Sequence, residues 1–599
     1  MTASGTPRFL ITTADERSWR TDRPILFLGK WCCEYTRRSE WAGLDAALVP
    51  EYGWDEGQQD TDFAYVQRLY EELLIELSEA LNRYHGTGRS LRYWRILLGP
   101  WLLTFTSILF NRWATIRLAV RNFEISGSVL LELPVGQTIP SDFNDFAQKY
   151  LSHTWNHAIY GRILSGWTSV PCERIAVQEA AEGVPARASI PAPTLRRRLR
   201  RMGARGLSAL ARILSRPTDA FFINTYLPPK QDFRLQLGLG QLPKRWQIVT
   251  APRIAPDFQV RRQIRLASTS HQGFEQCIRT LVLEQIPALY LEGYRSLLKA
   301  VAEVPWPKRP SVIFTSNNFQ ADDVFKAWAA DKTEYGIPYV IGQHGGYYGT
   351  AKYSTQADLN EVATADRHLT WGWTDDNPKN YPAVALKIVG VPRGTWNPAG
   401  GLLLVTSLDL RYTRDPWDIS AQTASYMEDQ FRFVAALPQT IRAVLTVRLH
   451  FAAASHGNPH DVLWRARHPD VRLDPGTSPI EPLIRRSRLF VYTVNSTAFL
   501  ETLGRNIPTI IFWDPKYNGL RPSAQPYFDL LKKAGIFHET PESAAAKVAE
   551  VWNDVTGWWN RPEVRGACVK FCDRFARMPE NPIQVLKNAL TTVKAGQHA

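Results

Sequence analysis

The sequence predicts an α/β protein with two Rossmann-like domains that face a cleft. Short apolar strands alternate with helices from about residue 311 to 373, and the alternation restarts after a Gly- and Pro-rich connector at 390–401. Several strands in both regions stop at small polar loops. In open parallel sheets such loops bind ligands at the carboxyl ends of the strands. Two successive regions of this kind predict a cleft and an enzyme with two substrates.

The first 395 residues are expected to form an α/β domain with a helical insertion at about 60–220. Apolar and β-branched runs predict strands at 9–13, 25–28, 221–227, 311–315, 339–341 and 368–373. Apolar residues at helical spacing predict helices at 63–81, 93–120, 141–164, 283–304 and 323–330. The uncharged stretch 96–110 has 15 residues, too few for a membrane span of about 20 residues. We interpret it as a buried helix that starts or breaks at Pro100.

The second domain is expected at 396–560, with helices at 561–599 that pack back on the first. The same patterns predict strands at 402–406, 444–449, 489–493 and 509–513. Helices are expected at 423–437, 497–503, 542–552 and 562–575. The helix at 497 starts directly after a strand end, which is where α/β sheets bind ligands.

The formal net charge of +14 indicates an anionic partner. The chain lacks zinc-finger spacing, an RNA-binding aromatic signature and a heptad zipper, so phosphorylated substrates and anionic membranes fit better than nucleic acid. A basic, amphipathic arm at 194–216 is either a solvated helix or a contact with the inner face of a membrane. The six cysteines form neither a disulfide framework nor a metal clip. With no signal-peptide pattern at Met1, a cytoplasmic protein is expected.

The sharper of two motifs is Gln343-His344-Gly345-Gly346, which follows the strand 339–341. Two glycines let the backbone approach a ligand closely. His344 can serve as acid, base or phosphate donor. The alternative is a tight turn with a structural histidine.

The second motif is Asn495-Ser496-Thr497, at a strand end and a helix start. It is either a plain helix cap or a site where amides and the helix dipole bind phosphate. Glu501 lies one helical turn beyond Thr497 and can accept hydrogen bonds from ribose hydroxyls.

Four further charged residues are candidates because they follow predicted strands. Glu361 and Asp322 could each be a base or nucleophile in the cleft, or a surface acid or cap. Arg411 and Arg448 lie near the carboxyl edge of the second sheet, where Arg pairs well with phosphate.

The segments Arg92-Tyr93-Trp94-Arg95-Ile96-Leu97-Leu98-Gly99-Pro100-Trp101, Gln343-His344-Gly345-Gly346-x-Tyr348-Gly349 and Asn495-Ser496-Thr497-x-x-x-Glu501 carry a resemblance that spans nearly the whole chain. They resemble a family of transferases encoded among bacterial O-antigen and surface-polysaccharide genes. The resemblance implies a GT-B-like architecture, distantly similar to Kdo transferases.

From these observations we expect a metal-independent, cofactor-free glycosyltransferase, cytoplasmic and peripheral on the inner membrane face. The second domain would bind a nucleotide sugar, CMP-linked donors included, through Arg411, Arg448, Asn495–Thr497 and Glu501. The first would hold a lipid-linked or oligosaccharide acceptor of O-antigen or capsule synthesis, with His344 near the reacting carbon and Glu361 or Asp322 as base. A nucleotide-sugar epimerase or hydrolase and a non-catalytic polysaccharide assembly protein stay as alternatives.

Overall fold

The structure of the protein is a computed structural model. It describes residues 6–53, 56–134, 136–177, 216–266, 272–354, 357–408, 410–417, 423–452 and 459–594. The basic arm, apart from Arg216, lies outside the described residues. Three parallel sheets follow one another along the chain, so the predicted α/β class is confirmed.

The N-terminal sheet has five strands in the order β3-β2-β1-β4-β5. Its strands are β1 (Arg8–Ile11), β2 (Ile25–Phe27), β3 (Ala46–Leu48), β4 (Ile125–Glu132) and β5 (Cys172–Ala176). The helices of this region are α1 (Arg38–Trp41), α2 (Glu56–His85), α3 (Leu91–Asn122), α4 (Phe143–Lys149) and α5 (His153–Trp167). The segment 60–220, predicted as a helical insertion, therefore also contributes two strands to a sheet begun by the first residues of the chain.

Helix α3 corrects the prediction made for Pro100. The helix starts at Leu91, where the Ser90 hydroxyl accepts a hydrogen bond from the Tyr93 amide, and it continues through Pro100. It is long and apolar enough to cross a membrane, but 94% of its most apolar window is buried inside the protein. Packing against α2 and later helices supplies the environment that keeps it helical, since tertiary contacts outweigh the cost of one proline.

The middle sheet has five strands in the order β10-β9-β8-β7-β6. They are β6 (Phe221–Ile223), β7 (Ile313–Thr315), β8 (Tyr339–Gly342), β9 (Arg367–Thr370) and β10 (Asn380–Pro382). The helices are α6 (Pro229–Gly238), α7 (Phe258–Gln263), α8 (Gly273–Gln285), α9 (Tyr294–Glu303), α10 (Asn318–Ala321), α11 (Asp323–Glu334) and the π-helix Ala357–Val362. Strand β8 is buried at all four positions and is the central strand of its sheet.

The C-terminal sheet is doubly wound, in the order β13-β12-β11-β14-β15-β16. Its strands are β11 (Gly401–Val405), β12 (Leu445–Arg448), β13 (Arg472–Asp474), β14 (Ser487–Tyr492), β15 (Thr509–Phe512) and β16 (Phe537–His538). The helices are α12 (Thr423–Ala436), α13 (Gln439–Arg442), α14 (His460–Arg467), α15 (Glu481–Arg486), α16 (Thr497–Gly504), α17 (Gln525–Lys533), α18 (Pro541–Val551), α19 (Val555–Trp559), α20 (Pro562–Phe575) and α21 (Pro582–Thr591). Its order reverses between β11 and β14, the place where such sheets bind ligands.

The middle and C-terminal sheets face one another with their carboxyl ends. The loop after β8 lies against the turn after β14, so the predicted arrangement of two Rossmann-like sheets across a cleft is confirmed. The third sheet, at the N-terminus, was not predicted. The boundaries proposed at residues 395 and 560 stay predictions. The last helix, α21, packs on α6 of the middle region.

Candidate functional site

The two predicted motifs meet in the cleft, backbone against backbone. A Cβ atom added at Gly346 would lie 2.1 Å from the Ser496 carbonyl oxygen and 2.6 Å from the Thr497 nitrogen. The Thr350 hydroxyl donates to the Asn495 side-chain oxygen over 3.1 Å. Only glycine allows this close approach. Gly346 therefore brings the loop after strand β8 into contact with the start of helix α16.

Gln343 anchors the loop that presents His344. Its side chain is fully buried; the amide nitrogen donates to the Gly345 carbonyl (2.7 Å), and the amide oxygen accepts from Trp371 N (2.8 Å) and Trp373 Nε1 (2.8 Å). A buried amide with all these partners holds one conformation. Gln343 therefore positions the loop from behind, while the neighbouring His344 reaches the cleft.

His344 stands at the end of a buried chain of polar groups. Its Nδ1 lies 2.7 Å from the Tyr348 hydroxyl, which donates to Glu361 Oε1 over 2.5 Å. The second oxygen of Glu361 lies 3.7 Å from Nδ1 and has no hydrogen-bond partner within the described residues. The side chain of His344 is 22% exposed, whereas that of Glu361 is fully buried.

This chain favours one tautomer of the neutral imidazole. Since the Tyr348 proton goes to Glu361, the Tyr348 oxygen accepts from Nδ1–H, and Nε2 of His344 keeps its lone pair. Burial and the charge of Glu361 raise the pKa of Tyr348 well above its ordinary value, so the phenol stays protonated. His344 is thereby prepared to accept a proton at Nε2.

Asp322, the other predicted acid, caps a helix. Its carboxylate accepts from the Phe325 amide (3.0 Å) and from Asn318 Nδ2 (2.9 Å) at the start of α11. Burial raises the pKa of Asp322 to about 6. The carboxylate is 7% exposed and already used by the helix, so the structure favours the capping alternative.

The turn 495–497 leaves polar atoms unused. Ser496 occupies the position before α16, but its side chain does not cap the helix amides. The Asn495 side chain is 4% exposed, and its Nδ2 has no partner in the described part of the chain. An uncapped helix start beside a buried unpaired amide offers the donors that an oxyanion needs.

Glu501 lies farther along the cleft, opposite the middle sheet. Its carboxylate is 3.6 Å from Lys387 Nζ, which lies 4.9 Å from the centre of the Tyr226 ring. The Tyr226 ring centre is 6.1 Å from that of His344. Burial raises the pKa of Glu501, and Lys387 opposes the shift. Glu501 and His344 thus border the same cleft through Tyr226.

The two predicted arginines have other partners. Arg448 pairs with Asp474 (2.7 Å) and donates to the carbonyls of Gly476 and Ser478, which ties down the loop after β13. Arg411 lies against Glu34 and His153 of the N-terminal region. The structure therefore does not bring either arginine to the turn 495–497, because each is engaged by groups that are distant in sequence.

Tyr348, Tyr226 and Lys387 are site residues that the sequence did not reveal as such. Tyr348 lies four residues after His344 in the same motif, and this spacing was the only indication that the sequence gave of a role for it. Tyr226 has a left-handed backbone (φ 60°), which positions its ring and has no sequence signature in a tyrosine. Among the described residues, no three His, Cys, Asp or Glu side chains cluster in a way that could hold a metal.

The chain matches one family over residues 8–590. It belongs to the LIC12162 family of transferases. The prediction of an enzyme is thus confirmed at the level of a transferase. No curated protein sequence matches the chain.

Several solved glycosyltransferases show a remote likeness. Acinetobacter baumannii MurG is 12% identical (62% of this chain, 99% of the other, TM-score 0.31). The calicheamicin glycosyltransferase CalG4 is 13% identical (63% and 100%, TM-score 0.30), and WaaG, a glycosyltransferase involved in lipopolysaccharide biosynthesis, is 11% identical (62% and 98%, TM-score 0.26). At these TM-scores the likeness does not support assigning the role of any residue in those proteins to a residue of this chain.

Proposed function

We propose that this transferase moves a glycosyl group from a nucleotide sugar to an acceptor hydroxyl in the cleft between His344 and Asn495. One observation carries the proposal: a histidine prepared to accept a proton lies across a backbone contact from a helix start that can bind an oxyanion. Glycosyl transfer needs both, since a proton leaves the acceptor while negative charge develops on the leaving phosphate.

The donor phosphate would bind at the start of α16. Backbone amides there, the helix dipole and Asn495 Nδ2 stabilise negative charge without rearrangement during the reaction. Glu501 would accept hydrogen bonds from the ribose hydroxyls. Glu501→Ala is expected to raise the donor KM roughly tenfold with kcat little changed, as for an interaction present in both ground and transition states. An unchanged KM would remove the ribose role.

The acceptor proton would go to His344. As the acceptor oxygen bonds to the anomeric carbon, Nε2 of His344 takes its proton, and the bond from that carbon to the phosphate oxygen breaks with its electron pair on the nucleotide. Glu361, behind Tyr348, stabilises the imidazolium that forms. Of the three predicted catalytic groups, His344 would therefore be the base, Glu361 a positioning residue and Asp322 a structural cap.

The biological acceptor is proposed to be a lipid-linked or oligosaccharide precursor of a surface polysaccharide, reached from the cytoplasm. The support is the resemblance carried by the segments around Trp94, His344 and Asn495. A panel of UDP-, GDP-, dTDP- and CMP-sugars, incubated with and without a glycolipid extract, tests this reaction. Acceptor-dependent nucleotide release that His344→Ala abolishes would support transfer. Equal release without acceptor would favour the hydrolase alternative, and no turnover with any donor would favour the assembly protein.

A further inference from the structure

The positive charge of the chain is concentrated in one segment. Residues 194–266 hold 16 Lys or Arg against 3 Asp or Glu, a net charge of +13, while the whole chain has 71 against 57, or +14. The other residues therefore balance, with 55 basic against 54 acidic. A concentration of this kind marks a surface for an anionic partner.

Part of this segment forms a described surface on α6 and the chain that follows it. Phe233 and Leu237 are 40% and 58% exposed, and Leu242 and Ile248 are 45% and 67% exposed. Four of the 13 exposed large apolar side chains of the described residues thus fall within 16 residues. A group of exposed apolar side chains of this kind indicates a contact surface for another protein or for a membrane.

The exposed basic residues here are not neutralised by the protein. Lys244 and Arg261 are buried and pair with Asp219 and Glu292. The exposed members have no carboxylate within 4 Å in the described part of the chain: Lys230, Arg234, Arg245, Arg253, Arg262 and Arg265. Their charge remains available to a partner.

Apolar and basic side chains share one face. Lys230, Phe233, Arg234 and Leu237 follow helical spacing within α6, so they form a single stripe. The Arg245 guanidinium lies 5.3 Å from the centre of the Phe233 ring. We call this the α6 face, and its members are Lys230, Phe233, Arg234, Leu237 and Arg245.

We propose that the α6 face docks the protein on a bilayer that contains anionic phospholipids. A membrane surface offers phosphates to the basic side chains and an acyl boundary to Phe233 and Leu237, and their alternation suits both at once. A nucleic acid or soluble polyanion would use the charges but leave the apolar side chains in water, so the bilayer fits better.

The α6 face also adjoins the cleft. Lys244 and Arg245 line a cavity at the carboxyl end of β6, together with Asn224, Tyr226 and Asp232. Tyr226 separates this cavity from His344, 6.1 Å away between ring centres. Docking by the α6 face would place the cavity mouth at the membrane, where a lipid-linked acceptor resides. This orientation, unlike the docking itself, rests on the proposed transfer.

Vesicle binding of the full chain tests the docking. The wild type should bind phosphatidylcholine vesicles that contain phosphatidylglycerol and bind pure phosphatidylcholine vesicles poorly. The variant Lys230→Gln/Arg234→Gln/Arg245→Gln should bind the anionic vesicles about a hundredfold more weakly, from three lost contacts with the charged surface. Leu237→Ser with Phe233→Ser should bind about tenfold more weakly at high salt, where the charges are screened.

The matched control is Arg472→Gln/Lys533→Gln/Lys570→Gln, which removes the same charge from exposed positions elsewhere. It should bind the anionic vesicles as the wild type does. Equal binding by the two triple variants, or tighter binding of the wild type to heparin than to anionic vesicles, would overturn the proposal. Because the assay needs neither donor nor acceptor, its failure leaves the proposed transfer intact, and a failed transfer assay leaves the docking intact.

Discussion

The two loops that meet in the cleft use their polar atoms in opposite ways. After β8, the side chain of Gln343, Nδ1 of His344 and the Tyr348 hydroxyl bond to one another or to buried neighbours, so the loop is held in place without a ligand. After β14, the helix start is uncapped and Asn495 Nδ2 has no partner in the described residues. A hydrogen-bonded network holds a reactive group in one position, whereas unpaired donors are available to bind a ligand. The difference supports the proposal that the first loop transfers the proton and the second binds the donor.

The largest effect is expected at His344. His344→Ala removes the proton acceptor and should lower kcat about 10³-fold, within the usual range for general base catalysis. Donor affinity should not change, because the proposed phosphate site lies on the other loop. Steady-state kinetics together with calorimetric titration of donor measure the two quantities. A variant that binds donor poorly and turns over normally would reverse the two assignments.

The groups behind His344 should matter next. Tyr348→Phe and Glu361→Gln break the chain that holds the imidazole, and each should lower kcat about a hundredfold. Donor affinity should not change in either variant, because the proposed donor site lies on the loop after β14. Loss of donor affinity together with kcat would indicate that the two residues serve the fold alone.

The other loop should affect binding. Asn495→Ala removes the free amide donors and should weaken donor binding roughly tenfold to a hundredfold, the value of a hydrogen bond to a charged group. Asn495→Asp keeps the shape but places a carboxylate beside the phosphate, so it should weaken binding further. Isothermal titration checks both. Equal affinities for the wild type and Asn495→Asp would place the phosphate elsewhere.

The contact between the loops gives a matched pair of variants. Gly346→Ala brings a Cβ atom to 2.1 Å from the Ser496 carbonyl oxygen and should lower the free energy of unfolding by about 1–3 kcal/mol. The neighbouring Gly345→Ala brings its Cβ to 3.5 Å from Thr497 Oγ1, an ordinary contact, and should cost much less. Urea denaturation compares them, and equal losses would mean that the loops do not touch in solution.

The smallest effect on activity is expected at Asp322. Its folded pKa of about 6 lies above its ordinary value of 3.8, so protonation favours the folded state. The stabilising contribution is complete below about pH 4 and is lost as the pH rises through 6. Asp322→Asn should remove this pH dependence of unfolding and leave kcat within about threefold, since Asn also caps helices. A large loss of kcat would restore Asp322 as a catalytic acid or base.

The sequence predicted the sheets of the cleft better than the N-terminal one. Strands β8 and β14 are apolar runs followed by polar loops, a pattern that can be recognised from the local sequence alone. Strand β4 (Ile125–Glu132) closely follows the 32-residue helix α3, and no strand was predicted there. Its partner β1 lies more than 100 residues earlier, so pairing was not readable from local pattern.

The same dependence on local sequence explains which candidate site residues could be predicted. His344 and Asn495 were found because they stand at strand ends, a position that local sequence reveals. The contact of Arg411 with Glu34 could not be predicted in this way, because Glu34 lies 377 residues away in the chain. Tyr226 reaches the cleft through a left-handed backbone, which sequence favours only for Gly, Asn and Asp.

The most direct test of the central claim titrates the wild type and Asn495→Ala with nucleotides and uses thermal unfolding as the readout. CMP, UDP, GDP and dTDP are each raised to about 100 times Kd, where a specific ligand adds about 2.7 kcal/mol of stability. We expect stabilisation of the wild type by one base and a much smaller effect on Asn495→Ala at the same concentration. Equal stabilisation of both proteins, or none by any nucleotide, would contradict a donor site at the start of α16.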